Sequence, residues 1–101
     1  PAVNTQVADL TNFATYPSLL KEMDLVVTAV PGFMGFRVLE AVINSGKSVV
    51  DISFFPEDAL QLDALAKSKG VTVVTDCGVA PGMGNLILGR YNEEMKVNRF
   101  E

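Results

Sequence analysis

Asp24-Leu25-Val26-Val27-Thr28-Ala29-Val30-Pro31-Gly32-Phe33-Met34-Gly35-Phe36 is the stretch that decides the fold. Its first seven residues are rich in β-branched side chains and largely apolar at successive positions. That is the composition of a parallel strand covered on both faces; a strand with one wet face alternates instead. Pro31-Gly32 ends the run, and Leu39, Val42 and Ile43 then fall on one face of a helix that Gly46 stops. The same unit recurs. Ser48-Val49-Val50-Asp51-Ile52-Ser53 and Val71-Thr72-Val73-Val74-Thr75-Asp76 read as two more strands, their starts 24 and 23 residues apart, about one strand plus one crossover helix. Between these two, Leu62, Leu65 and Ala66 line one face of a helix over 57–69, with Pro56 at its start. Glu57 and Asp58 stand at the positive end of its dipole, and Lys67 and Lys69 at the negative end before Gly70. A shorter helix is expected over 17–22, a weaker strand over 3–8, and a last helix from Asn85 to Tyr91. The expected fold is α/β: a partial Rossmann-type parallel sheet, strands near 24–30, 48–53 and 71–76, with helices near 33–45 and 57–69 and helices on both faces.

Composition narrows the function. A chain of 101 residues, 49% apolar and 20% charged, is one domain or less. The net charge of -4, with no basic stripe, argues against nucleic acid and against an anionic membrane surface. No apolar run approaches the roughly 18 residues that span a bilayer, and the N-terminus lacks a secretory layout. The single Cys77 makes no internal disulfide, so a cytoplasmic setting is expected. Without histidine, transition-metal sites and Ser-His or Cys-His catalysis are not expected.

The special residues cluster on one side of each strand. Connections entering the strands are brief: Lys21-Glu22-Met23, Gly46-Lys47 and Lys69-Gly70. Those leaving carry nearly all the Gly, Pro and aromatic content, over 9–12, 31–36, 54–56 and 77–85. Ligands of parallel α/β sheets bind at the carboxyl ends of strands, so this asymmetry locates a site without naming its ligand. The glycines of Pro31-Gly32-Phe33-Met34-Gly35-Phe36 either admit a flat ligand that Phe33 or Met34 packs on, or make a tight turn with core aromatics. No GxxxxGK run is present, which removes a phosphate P-loop. Asp51 and Ser53, on one face of an apolar strand, are read as structural groups holding loop amides. Asp76 is read as capping its turn, and Cys77 as a packed, inert thiol with no basic neighbour. Pro81-Gly82-Met83-Gly84-Asn85 presents bare amides at a helix start, for a ligand's polar edge or a close packing contact. Asp9 is expected in an Asx turn with Thr11 or Asn12.

Taken together, Leu25 through Phe36, Val49 through Phe54 and Gly78 through Asn85 resemble the saccharopine dehydrogenase family, colinearly over essentially the whole chain. The lysine 6-dehydrogenase-like members are the most similar. The resemblance implies strands three to six of a Rossmann domain that binds NAD or NADP, within an enzyme oxidising the amine carbon of an amino acid. Asp9 with Leu10 then lies near the adenine, Val30-Pro31-Gly32-Phe33 near the nicotinamide ribose, and Gly78 to Asn85 forms a junction passing the nicotinamide. The implied cofactor-binding set is Asp9, Leu10, Val30, Pro31, Gly32, Phe33, Ser53, Gly78, Pro81 and Gly82; no catalytic residue is assigned. Two departures lean away from saccharopine, toward lysine or another amine: no histidine follows Pro31, and Ala80 and Asn85 replace an acidic and a polar or basic residue.

The family's glycine-rich βαβ unit has no counterpart here, since Gly82-Met83-Gly84 is followed by Ile87 where the third glycine belongs. The expected whole enzyme therefore extends beyond this chain, with a second domain that binds the amino-acid substrate and forms a homodimer. In a strand order 3-2-1-4-5-6 the 3–8 strand lies two places from its nearest partner. The adenine-side and nicotinamide-side residues would then sit across a gap, with no fixed distance between them. Two other readings share the α/β pattern: a non-catalytic nucleotide-binding or interaction module, and a flavodoxin-like or receiver-like domain. A receiver needs an acidic cluster at its first strand and a late lysine, and neither is found.

Overall fold

The computed structural model describes residues 2–101. Strands β1 (Leu25–Thr28), β2 (Ser48–Asp51) and β3 (Val73–Val74) form one sheet in the order β1-β2-β3. Both pairings are parallel, with Val26 opposite Val49 and Val49 opposite Val73. Helix α2 (Gly32–Asn44) crosses from β1 to β2, and a 3-10 turn (Ala59–Leu62) leads into α3 (Asp63–Lys69) between β2 and β3. The strand-helix-strand rhythm of the sequence is thus realised as two parallel crossovers.

One core accounts for the packing. Leu39, Val42 and Ile43 of α2 are at most 1% exposed and cluster with Val49 of β2, Leu62, and Ala66 of α3. Full burial of each such aliphatic side chain contributes about 1.5–3 kcal/mol. Both helices lie on this face of the sheet. The opposite face is open: Leu25, Val27, Ile52 and Val74 are exposed. Two-sided apolar strands led us to expect helices on both faces, and the described residues supply one of the two layers. Helix α4 (Met83–Glu94) buries none of its residues.

The strands are shorter than expected because side chains and helices take over their ladder groups. The Val30 amide donates to Ser53 Oγ at 3.0 Å, and the Val71 amide turns back to the Ala66 carbonyl. The strand expected over 3–8 does not form. Val3 and Val7 are exposed, and among the described residues no strand pairs with them. An isolated extended segment has no ladder to hold it. The helix expected over 17–22 is one turn, α1 (Tyr16–Leu19). The helix expected over 57–69 begins later, because Asp58 caps the Leu60 amide at 2.9 Å instead of lying inside the helix.

Beneath the ends of β1 and β2 sits a buried polar tie. The Thr28 hydroxyl donates to Asp51 Oδ1 at 2.5 Å, Asp51 is 0% exposed, and its Oδ2 finds no partner among the described residues. The structural reading of Asp51 and Ser53 fits this placement. Thr28→Val deletes the sole donor to this buried carboxyl among the described residues, and urea unfolding should show a loss of roughly 1.5–3 kcal/mol; a change within 0.5 kcal/mol would contradict it. In the full-length protein Asp51→Asn should lower the melting temperature more than it lowers turnover per folded molecule, and the reverse ranking would give Asp51 a chemical role.

Two glycines test the packing with one substitution of opposite sign. A Cβ on Gly32 would overlap the Phe54 carbonyl oxygen, whereas one on Gly89 meets nothing within 4 Å. Gly32→Ala should destabilise by about 1–3 kcal/mol through forced backbone movement. Gly89→Ala, inside α4, should stabilise by up to ~1 kcal/mol. Chemical denaturation giving both changes the same sign would contradict the packing described.

Candidate functional site

The loops leaving β1 and β2 meet at the carboxyl end of the sheet. Gly32 lies directly on the Phe54 carbonyl, and Gly35 is held close to Phe55 and Ser53, where a Cβ would come within 2.8 Å and 3.1 Å of their side chains. The sequence left the aromatics of these loops open between core and ligand, and the structure divides them. Phe36 and Phe55 pack edge to face with centroids 5.9 Å apart, partly buried against the core. Phe33 and Phe54 are 85% and 71% exposed. Two outward rings on adjoining backbone offer apolar contact to a planar ligand. Beside them α2 starts with no side-chain cap, its Met34 amide donating to the Pro31 carbonyl at 3.0 Å, and presents the positive end of its dipole.

Of the expected cofactor-binding residues, Val30, Pro31, Gly32, Phe33 and Ser53 come together here. Ser53 is buried, with its hydroxyl accepting the Val30 amide, so it sets the path of the Pro31-Gly32-Phe33 turn from beneath. Gly78, Pro81 and Gly82 belong to a second loop after β3, anchored by the Cys77 amide on the Asp51 carbonyl at 3.1 Å.

That junction corrects two sequence expectations. Its amides are paired instead of bare: Gly82 N donates to Asn85 Oδ1 at 3.2 Å, Met83 N to the Gly78 carbonyl at 2.9 Å, and Gly84 N to the Val79 carbonyl at 3.1 Å. A Cβ on Gly82 would overlap the Asp76 and Gly78 carbonyl oxygens, so the glycine serves close packing at φ 134°. Cys77 is exposed and not packed, because β3 ends before it and the chain turns outward at Asp76, φ 59°. An open cleft of about 970 Å³ lies alongside, between Ile52 and Val74 of the bare sheet face and Met83 and Leu86 of α4.

Asp9 and Leu10 form a separate turn. Asp9 Oδ1 accepts from the Thr11 amide at 2.9 Å and the Thr11 hydroxyl at 2.6 Å, the expected Asx turn. The Thr11 hydroxyl and then its amide hold the Asp9 carboxyl below the usual carboxylate range. Its ionised form, and the turn built on it, therefore persist as pH falls through that range and are lost only below it. Gln6, Asp9, Asn12, Thr15 and Ser18 line a shallow polar hollow of about 380 Å³ here. Tyr16, 2% exposed, donates from its phenol to the Leu10 carbonyl at 2.9 Å. Burial first, and the Asp9 charge second, push this phenol up, which keeps it a donor at neutral pH. Sequence reasoning missed Tyr16 and Phe54. The signal for Tyr16 was a polar-tipped aromatic within the apolar spacing of a short helix, since buried tyrosine hydroxyls find partners.

Exposed rings and a helix start without a side-chain cap stand at one place and the Asp9–Leu10 turn at another. Nothing described supplies the glycine-rich turn that holds a pyrophosphate. Lys47, Lys67 and Arg90 are engaged with the Lys21 carbonyl, Asp63 and Glu94 respectively. Among the described residues no cluster of potential metal ligands occurs, and no helix is long and apolar enough to cross a membrane.

Similarity to known proteins places the chain in a family. The family described as saccharopine dehydrogenase NADP binding domain matches residues 1–74. A saccharopine dehydrogenase [NADP(+), L-glutamate-forming] of Pyricularia oryzae is 29% identical over 87 residues, covering 86% of this chain. The chain spans 19% of that relative's length. The parallel α/β architecture and the family resemblance read from the sequence both hold. This chain belongs to the saccharopine dehydrogenase NADP-binding domain family, and its cofactor is of the NAD(P) class.

Proposed function

We propose that this chain is the later part of the dinucleotide-binding domain of an NAD(P)-dependent dehydrogenase that oxidises the amine carbon of an amino acid. The observation that carries the reading is the pair of exposed rings, Phe33 and Phe54, set beside the start of α2 at the carboxyl end of a parallel sheet. A bound NAD(P) would supply the hydride acceptor for the substrate carbon. The residues of this chain bind, orient and exclude water. Phe33 and Phe54 offer apolar faces, Gly32 keeps the two loops in contact, and Ser53 fixes the Val30 amide that precedes the turn. Asp9 and Leu10 contact the adenine side, and Gly78, Pro81 and Gly82 shape the loop beside the nicotinamide.

The substrate preference proposed is lysine or a related amine, supported by Ala80 and Asn85 and by the absence of histidine. We further propose a cytoplasmic homodimer, with dimer and substrate contacts made outside these residues; an exposed single thiol, Cys77, suits a reducing compartment.

The test is reduction of NAD or NADP by L-lysine and by saccharopine in the full-length protein, beside its Phe33→Ala variant. Phe33 is 85% exposed, so its removal should leave the melting temperature nearly unchanged. Loss of one aromatic contact should weaken cofactor affinity roughly fivefold. Unchanged affinity would remove Phe33 from the cofactor site, and failure of both amino acids to reduce either cofactor would remove the proposed reaction.

A further inference from the structure

The segment 2–12 has no strand partner and is exposed along nearly its whole length. Its turn at Asp9 and Leu10 is built from local hydrogen bonds, Asn12 N to the Asp9 carbonyl and Thr11 to the Asp9 carboxylate. Local bonds shape a turn but do not say where it sits. The bond that reaches from this turn to the core is the Tyr16 phenol on the Leu10 carbonyl. The Tyr16 ring belongs to the buried cluster that includes Val38, Leu39 and Val42 of α2. Phe13 packs on Tyr16 with centroids 5.9 Å apart, and the Arg37 guanidinium of α2 lies 5.3 Å from the Phe13 ring centre.

Helix α2 therefore carries both parts of the candidate site. Its first turn is Gly32-Phe33, and its flank holds Tyr16. The sequence reading left the two parts without a fixed separation, since the expected strands between them are not in this chain. Among the described residues, the Tyr16 phenol on the Leu10 carbonyl links the turn to the flank of α2.

We infer that Tyr16 is a positioning residue that fixes the Asp9–Leu10 turn on α2 and so sets the span between the adenine-side and nicotinamide-side contacts. The inference rests on the proposed reading of Asp9 and Leu10 as adenine-side contacts. Tyr16 touches no cofactor; it acts through the Leu10 carbonyl. Its phenol stays protonated across the neutral range, so the tie does not titrate there.

The experiment uses the full-length enzyme with Tyr16→Phe, which keeps the buried ring and removes only the donor. Each protein is titrated with NADP, with 5′-AMP as the adenosine half and with nicotinamide mononucleotide as the other half. Loss of one neutral hydrogen bond's worth of positioning should weaken NADP and 5′-AMP about fivefold. Nicotinamide mononucleotide affinity and kcat at saturating cofactor should not change, and KM for the cofactor should rise. A general loss of structure would instead lower kcat and weaken both halves. Amide exchange in the cofactor-free enzyme gives a second readout: residues 9–12 should exchange faster in the variant, with α2 unchanged. Asp9→Ala separates the two claims. If it weakens 5′-AMP while Tyr16→Phe leaves 5′-AMP and exchange at wild-type values, the positioning role is wrong and the adenine-side reading stands. If neither variant changes 5′-AMP binding, the adenine-side reading fails and the inference with it.

Discussion

The seating of α2 on the row Val26, Val49 and Val73 is the constraint from which the rest of this structure follows. Leu39, Val42 and Ile43 are buried there against a sheet only three strands wide. A parallel sheet needs a crossover, and the crossover helix must bury its stripe on the sheet it joins. Once α2 is seated, its first turn is pinned at the carboxyl edge. Gly32 then meets the Phe54 carbonyl, and Phe33 and Phe54 are turned outward together. The same helix offers its flank to Tyr16. A candidate surface assembled from separate loops thus owes its geometry to one helix.

The polar tie below that surface does different work. Backbone ladders stop at Thr28 and Asp51, and side chains continue the cross-strand bonding, with Thr28 on Asp51 and Ser53 on the Val30 amide. A ladder bond fixes only the strand, whereas these bonds let the chain turn out of the sheet and stay ordered. An apolar residue at Ser53 would leave the Val30 amide unsatisfied, and one at Asp51 would take the acceptor from the Thr28 hydroxyl. That is why polar groups stand in strands that otherwise read as continuous apolar runs.

Much of the fold was legible because periodicity and punctuation agreed. Leu39, Val42 and Ile43 with Gly46 fix one helix, and runs of valine fix the strands on either side. The strand expected over 3–8 does not form, since a strand needs a neighbour to pair with and none pairs with it among the described residues. The open sheet face escaped notice for a related reason. Leu25, Val27 and Val74 are apolar as if covered, and sequence composition records what a surface is suited to meet. The Asx turn at Asp9 and the structural role of Ser53 were legible from residue type and position. Cys77 and the amides near Gly82 were misjudged, since their states depend on the outward turn at Asp76 and on Asn85 folding back. Tyr16 was missed because its importance lies in a contact six residues away, to a carbonyl that any residue would supply.

The central claim is that these residues hold the two ends of a dinucleotide on α2 while the pyrophosphate is gripped by a glycine-rich turn that they do not contain. A phosphate pair carries most of the ligand's charge and is ordinarily met by helix-start amides following such a turn. End contacts alone are fragment-sized, and a net charge of -4 opposes an anionic ligand. Calorimetric titration of this 101-residue chain with NAD and NADP tests the claim most directly. The account predicts binding weaker than about 1 mM for both. Micromolar affinity for either would contradict it, by showing that the residues described here grip the pyrophosphate themselves.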